Sequence, residues 1–203
     1  MLQKVTEAAV DGGGFLGAAI FRKEDGSARL QMEAGAGAFV ALMAKMQIST
    51  DPAVPHGQGL GGIAFRSNKP CISNNVTSDT RIRPWWDLAK ATGVKTSAAL
   101  PICVGAAPVG VIYFFLGDEH GQLDEEATSL MSRLAENVSF GLEMFKREEA
   151  RHSALKEQDN LHRMYVALSA TNEAIMRSTT RDELFELVCS AAVLGGKPRS
   201  MLI

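Results

Sequence analysis

Two hydrophobic patterns divide this chain. Up to residue 116, apolar residues come in short alternating runs punctuated by Gly, Pro, Asn and Asp; from residue 124 they recur at helical spacing. The second pattern predicts one long helix from Asp124 to about Ser178. It contains no Pro, and its single Gly, Gly141, costs only about 1 kcal/mol. Asp124 is a good N-cap, and Glu125 and Glu126 sit where the helix dipole favours negative charge. Leu130, Leu134, Val138, Leu142 and Phe145 fall on one face, which predicts packing against a domain. From Lys146 the sequence KREEARHSALKEQDNLHR is too polar for a core. Leu161, Tyr165, Leu168, Asn172 and Ile175 then recur at 4-3-4-3 spacing, a coiled-coil seam. Leu155, Val138 and Leu134 fit a register displaced by one residue. The seam is therefore discontinuous near Gln158, or its two halves have different partners.

The first pattern predicts a sheet. FLGAAIFR is a strand, Asp25-Gly26 a hairpin turn and ARLQMEAG the returning strand. FVALMAKM reads as a short helix and QISTDPAVPHGQG as a loop. LGGIAFRSNK reads as a second short helix and PCISNNV as a strand. TSDTRIRPWWDLAKATG is a loop carrying a helix from about Pro84. KTSAALPI and APVGVIYFFLG are strands joined by a tight turn at Gly105. Val111, Tyr113 and Phe115 alternate with Ile112 and Phe114, all apolar, so this strand lies inside the sheet with both faces covered. The expectation is an α+β domain. Residues 15–22, 28–34, 70–76, 96–102 and 108–116 form one antiparallel sheet, with long helices on one face and short helices and loops on the other.

Composition narrows the function classes. The 203 residues carry a net charge of -2, so no basic excess points to nucleic acid or anionic lipid. No apolar run is long enough to span a membrane. Three scattered cysteines, Cys71, Cys103 and Cys189, form no CxxC and suggest a reducing cytoplasm. The four histidines have no metal-ligand spacing.

The two ends resemble each other. MLQKVTEAAVDGGGFLGAAI aligns with LFELVCSAAVLGGKPRSMLI at a displacement of 183 positions, matching AAV and GG in order. Thr180 and Glu183 fit a capping box opening the second copy. The expected organisation is a first domain over 1–145 with a cut N-terminus, a connecting helix over 146–178 and the start of a truncated second copy over 179–203.

GQGLGGIAFRSNKPCISNNVTSDTRIRPWW, then TSAALPI, then APVGVIYFFLG and a long helix resembles a GAF domain. The ordered set covers residues 1 to about 145. The resemblance implies a sensor and dimerisation module with a central antiparallel sheet and helices on both sides. It implies a small ligand held between the sheet and the short-helix side, near 56–65 and 74–86, and a signal passed along the connecting helix. The PWW…TSAALPI variety resembles GAF domains placed ahead of diguanylate cyclase, cyclic-di-GMP phosphodiesterase and histidine kinase domains.

The candidate ligand-binding residues are His56, Asn75, Asp79, Arg81, Arg83, Trp85, Trp86, Ser97 and Tyr113. Two Arg could meet an anion and a Trp could stack on it. The structural alternative is that Trp85 or Trp86 packs on the sheet while Arg81 pairs with Asp79. Gly57, Gly59 and Gly62 spell GxGxxG, but no strand precedes them, so they read as a loop approaching the sheet. Ile72 follows Cys71 where bilin-attaching relatives usually carry His. Leu60-Gly61-Gly62 stands where the methionine-sulfoxide reductase branch of the fold carries its Cys. Cys71 and Cys103 therefore read as structural. The sequence-level expectation is a non-enzymatic, cytoplasmic sensor that dimerises through its long helix, with no metal and an unidentified ligand or cofactor. The rivals are a cysteine-based redox enzyme of the same fold and a ligand-free dimeriser.

Overall fold

The computed structural model of the chain describes residues 2–117 and 123–177, and Thr180, Asp182, Glu183, Phe185, Glu186 and Cys189 beyond them. It divides into two compact units, Met1–Met144 and Phe145–Ile203.

The first unit opens with helix α1 (Leu2–Gly13), followed by strands β1 (Gly17–Lys23) and β2 (Arg29–Gly37). Gly26 turns this hairpin at φ 74°, a left-handed conformation that glycine adopts without a Cβ clash. Helix α2 (Val40–Met43) and strand β3 (Ile48–Ser49) come next, then helix α3 (Leu60–Ser67) and strand β4 (Cys71–Ser73). A 3-10 segment (Thr80–Trp85) runs into helix α4 (Trp86–Thr92). Strands β5 (Thr96–Val104) and β6 (Ala107–Leu116) are joined through Gly105 at φ 62°, and helix α5 (Glu125–Arg177) follows.

All six strands join one antiparallel sheet in the order β3-β2-β1-β6-β5-β4. The strand expected inside the sheet is inside it: β6 pairs with β1 on one side and β5 on the other. Its alternation feeds two cores. Val111, Tyr113 and Phe115 join the core under the short helices, whereas Ile112, Phe114 and Leu116 join the core beneath α1 and the start of α5. The region read as a loop from Gln47 contains β3, which exists only through its ladder with Arg29 and Leu30. α2 is shorter than expected, and Pro84 lies inside the 3-10 segment rather than at the first turn of an α-helix.

Asp124 caps α5 as expected, its Oδ1 accepting from the Ala127 N–H at 2.8 Å. The buried face of α5 differs from the expected one. Met131, Ala135 and Val138 are buried and Leu142 is half-buried, while Leu130, Leu134 and Phe145 are exposed. The physical reason is a small residue. Ala135 lets the helix approach the sheet closely, and the Ser139 hydroxyl accepts from the Cys103 N–H at 3.0 Å, which fixes the helix rotation. A reading based on bulky residues weights Leu134 over Ala135 and turns the face by one position.

In the second unit, α5 is continuous to Arg177, with no helix break at Gln158. The hydroxyl of Thr180 accepts from the Glu183 N–H at 3.4 Å, one half of the expected capping box. Asp182, Glu183, Phe185, Glu186 and Cys189 are helical. The rest of the expected second copy lies outside the described residues. Among the described residues, no helix is long and apolar enough to cross a membrane.

Candidate functional site

A cavity of about 40 Å³ lies between the sheet and the short-helix side. β5 and β6 supply its floor. Ser97 stands opposite Phe115 in their ladder, and Tyr113 lies two residues from Phe115 on the same face. The Tyr113 and Phe115 rings are stacked with centroids 5.5 Å apart and planes 4° apart. The opposite wall is apolar: Phe39 and Met43 around α2, Met46, Leu60 of α3, Val76, Ile82 and Trp85 of the 3-10 segment, and Leu88 and Ala89 of α4.

The glycine loop sets how close this wall comes. A β-carbon on Gly61 would stand 2.5 Å from the Tyr113 hydroxyl, and one on Gly59 would stand 2.5 Å from the Trp85 ring. With no side chain there, the Gly61 N–H donates to the Tyr113 hydroxyl at 2.7 Å. Of the GxGxxG glycines, Gly59 faces Trp85, and a β-carbon on Gly57 or Gly62 would run into the backbone of Asp51 or of Gly57 and Ser49, so the motif serves close packing. Burial pushes the Tyr113 phenol well above its ordinary pKa, with the Gly61 bond opposing it weakly, so the group stays neutral.

Three of the nine candidate residues line this cavity: Trp85, Ser97 and Tyr113. His56 meets Trp85 edge to face, with ring centroids 5.8 Å apart, but does not line the cavity itself. Trp86 packs against the same core, and its Nε1–H donates to the Asp79 carbonyl at 3.1 Å. Asn75 makes a turn, its carbonyl accepting from the Ser78 and Asp79 N–H groups.

Arg81 follows the structural alternative. Its Nη2 donates to Asp79 Oδ2 at 2.6 Å and to the Ile72 carbonyl at 3.0 Å, and its Nη1 donates to Cys71 Sγ at 3.3 Å. The Arg81 guanidinium holds the Asp79 carboxyl below the usual carboxylate range, against the opposing effect of burial. Arg83 is exposed, and neither arginine reaches the cavity wall. Burial pushes the Cys71 thiol up despite Arg81, and burial likewise raises Cys103. Among the described residues, no cluster of His, Cys, Asp and Glu could hold a metal ion.

The GAF domain family pattern matches residues 1–143. The chain belongs to the GAF family. Solved GAF structures share its fold. The GAF domain region of a Geobacter sulfurreducens PCA protein is 20% identical, with a TM-score of 0.59 over 70% of this chain and 90% of that one. The second GAF domain of DevS from Mycobacterium smegmatis is 17% identical, with a TM-score of 0.57 over 74% and 96%. The free methionine-R-sulfoxide reductase from Neisseria meningitidis, solved with its substrate, is 16% identical, with a TM-score of 0.55 over 75% and 78%. At these identities the likeness establishes the fold alone. Comparison with curated proteins finds no match.

Within this GAF domain, sequence reasoning missed Met43, Met46, Leu88, Ala89 and Val94 as cavity residues. They look like any core residue in sequence. The usable signal was positional: 77–93 forms a long excursion between two strands, and such excursions carry sites.

Proposed function

We propose that this chain is a non-catalytic small-ligand sensor and dimerisation module of a bacterial cytoplasmic signalling protein. It passes ligand occupancy along α5 to an output domain such as a diguanylate cyclase, a cyclic-di-GMP phosphodiesterase or a histidine kinase. The observation that carries this reading is the cavity itself, an apolar chamber with two hydroxyl-bearing side chains on its sheet wall. Membership of the GAF family supports a sensing role. The shared fold with a methionine-R-sulfoxide reductase keeps a redox enzyme as the second reading. The raised thiols of Cys71 and Cys103 support the sensor over it, because thiolate chemistry needs a depressed pKa.

A thermal-shift screen of small metabolites on this chain and on Ala89→Val tests the reading. A cognate ligand at about a hundred times Kd should raise the wild-type Tm by roughly 5–10 °C. The rise should be lost in the variant, whose added methyls fill the chamber. A screen in which every stabilising compound acts equally on both proteins would sink the proposal.

A further inference from the structure

We propose that the ligand of this cavity is a small, uncharged, mainly apolar molecule carrying one hydrogen-bond acceptor, and that Ser97 is the residue that selects for that acceptor. The proposal rests on the sensor reading and narrows it to a chemical class.

The first ground is charge. A charged group brought into an apolar chamber needs a charged partner, because its desolvation is otherwise uncompensated. The chamber offers none. Its one ionisable side chain is Tyr113, which burial keeps neutral. Arg81 is engaged by Asp79, Ile72 and Cys71, and Arg83 stands exposed away from the wall. Anionic ligands, which the arginine-rich loop would otherwise suggest, have nothing to meet here.

The second ground is unmet hydrogen bonding. Ser97 is only 4% exposed and lines the chamber, and among the described residues no protein group bonds its hydroxyl, whose oxygen meets the chamber space rather than being sealed in the core. A hydroxyl without a protein partner on the wall of an apolar chamber is a ready donor to a ligand acceptor. The Tyr113 hydroxyl accepts from Gly61, yet its own proton finds no acceptor among the described residues. Thr92, the other hydroxyl in the lining, already donates to the Leu88 carbonyl at 2.8 Å. Ser97 and Tyr113 therefore present two free O–H donors from one wall. A carbonyl, ether or hydroxyl oxygen on the ligand satisfies them.

The third ground is size and softness. The chamber's 40 Å³ exceeds the room for one water and falls short of the about 150 Å³ that accommodates benzene in an engineered apolar cavity. Met43 and Met46 lie in the wall, and unbranched thioether side chains re-pack at low cost. A molecule of a few heavy atoms enters directly, and a single ring enters once these methionines move.

Phenol, toluene and benzoate share one ring and differ in the feature at issue. Their binding to the 203-residue chain can be read by tryptophan fluorescence, since Trp85 lines the chamber. Phenol and toluene should bind and benzoate should not. Ser97→Ala should weaken phenol about tenfold and leave toluene within about twofold. Benzoate binding as tightly as phenol, or Ser97→Ala weakening phenol and toluene alike, overturns the proposal. If none of the three binds while screen hits are still lost in Ala89→Val, the ligand class is wrong and the sensor reading stands. If Ala89→Val loses no hit either, the sensor reading itself fails.

Discussion

At the scale of single residues, the Asp79–Arg81 pair shows how a motif that looks like a ligand grip can be structural. Asp79 caps the 3-10 segment by accepting from the Arg81 N–H at 3.0 Å and also takes the Arg81 side chain. Arg81 in turn bonds the Ile72 carbonyl of the edge strand β4, a backbone acceptor that a neighbouring chain could otherwise use. The pair thus fastens the loop that carries Trp85 to the sheet edge. Asp79→Asn keeps the shape and the capping acceptor but removes the charge. Because Arg81 remains partly solvated, the loss should be about 1 kcal/mol at neutral pH. The Asp79 pKa is depressed on folding. Its contribution is therefore complete above the unfolded carboxylate value and disappears as pH falls through the folded one. Urea denaturation of both proteins should show the gap closing between about pH 5 and pH 2. A gap of constant size over that interval would mean that the charge of Asp79 does not stabilise the fold.

At the scale of elements, the rotated face of α5 can be checked directly. Met131 is 2% exposed and Leu134 is 36% exposed. Met131→Ala should cost about 2–5 kcal/mol, as truncation of a buried methionine does, whereas Leu134→Ala should cost less than about 1 kcal/mol. Equal costs would restore the face expected from the sequence. The comparison also shows what a sequence conveys. β6 was legible because both alternating sets are large and apolar, a pattern that only a doubly covered strand satisfies. β3 was not, because two residues carry no period and its existence depends on β2. The helix face was half legible: Val138 and Leu142 pointed to it, while Ala135 carries too little hydrophobic weight to be noticed. For the cavity, Trp85 stood out by type. The aliphatic remainder of the wall did not, since nothing in Met43 or Ala89 distinguishes a cavity wall from a packed core.

At the scale of the whole molecule, the second unit poses the question that the sensor reading must answer. Helical stability comes mostly from tertiary packing, and a long polar helix is marginal without it. Between Phe145 and Arg177, α5 exposes Leu155, Leu161, Met164, Tyr165, Leu168 and Ile175. Leu161, Tyr165, Leu168, Asn172 and Ile175 trace the 4-3-4-3 seam, and full burial of each large apolar side chain would contribute about 1.5–3 kcal/mol. A parallel pairing with the same helix of a second copy would supply that burial and bring two copies of the GAF domain into one assembly. Asn172 at a seam position favours a defined register at some cost in stability. The ion pairs Arg151–Glu148, Arg163–Asp159 and Arg177–Glu173 are local to the helix, and Leu161, Tyr165 and Leu168 remain exposed. The polar stretch over residues 146–158 offers few apolar layers, so a pairing there would be weak and open to bias. On the sensor reading proposed above, a ligand that favours one register would bias the output. Sedimentation equilibrium of the chain at micromolar concentration should give a dimer. The double variant Leu161→Lys, Leu168→Lys should give a monomer, with the melting of the GAF domain unchanged. A wild-type monomer at high micromolar concentration, or a dimer indifferent to both lysines, would remove the helix as the signalling connection.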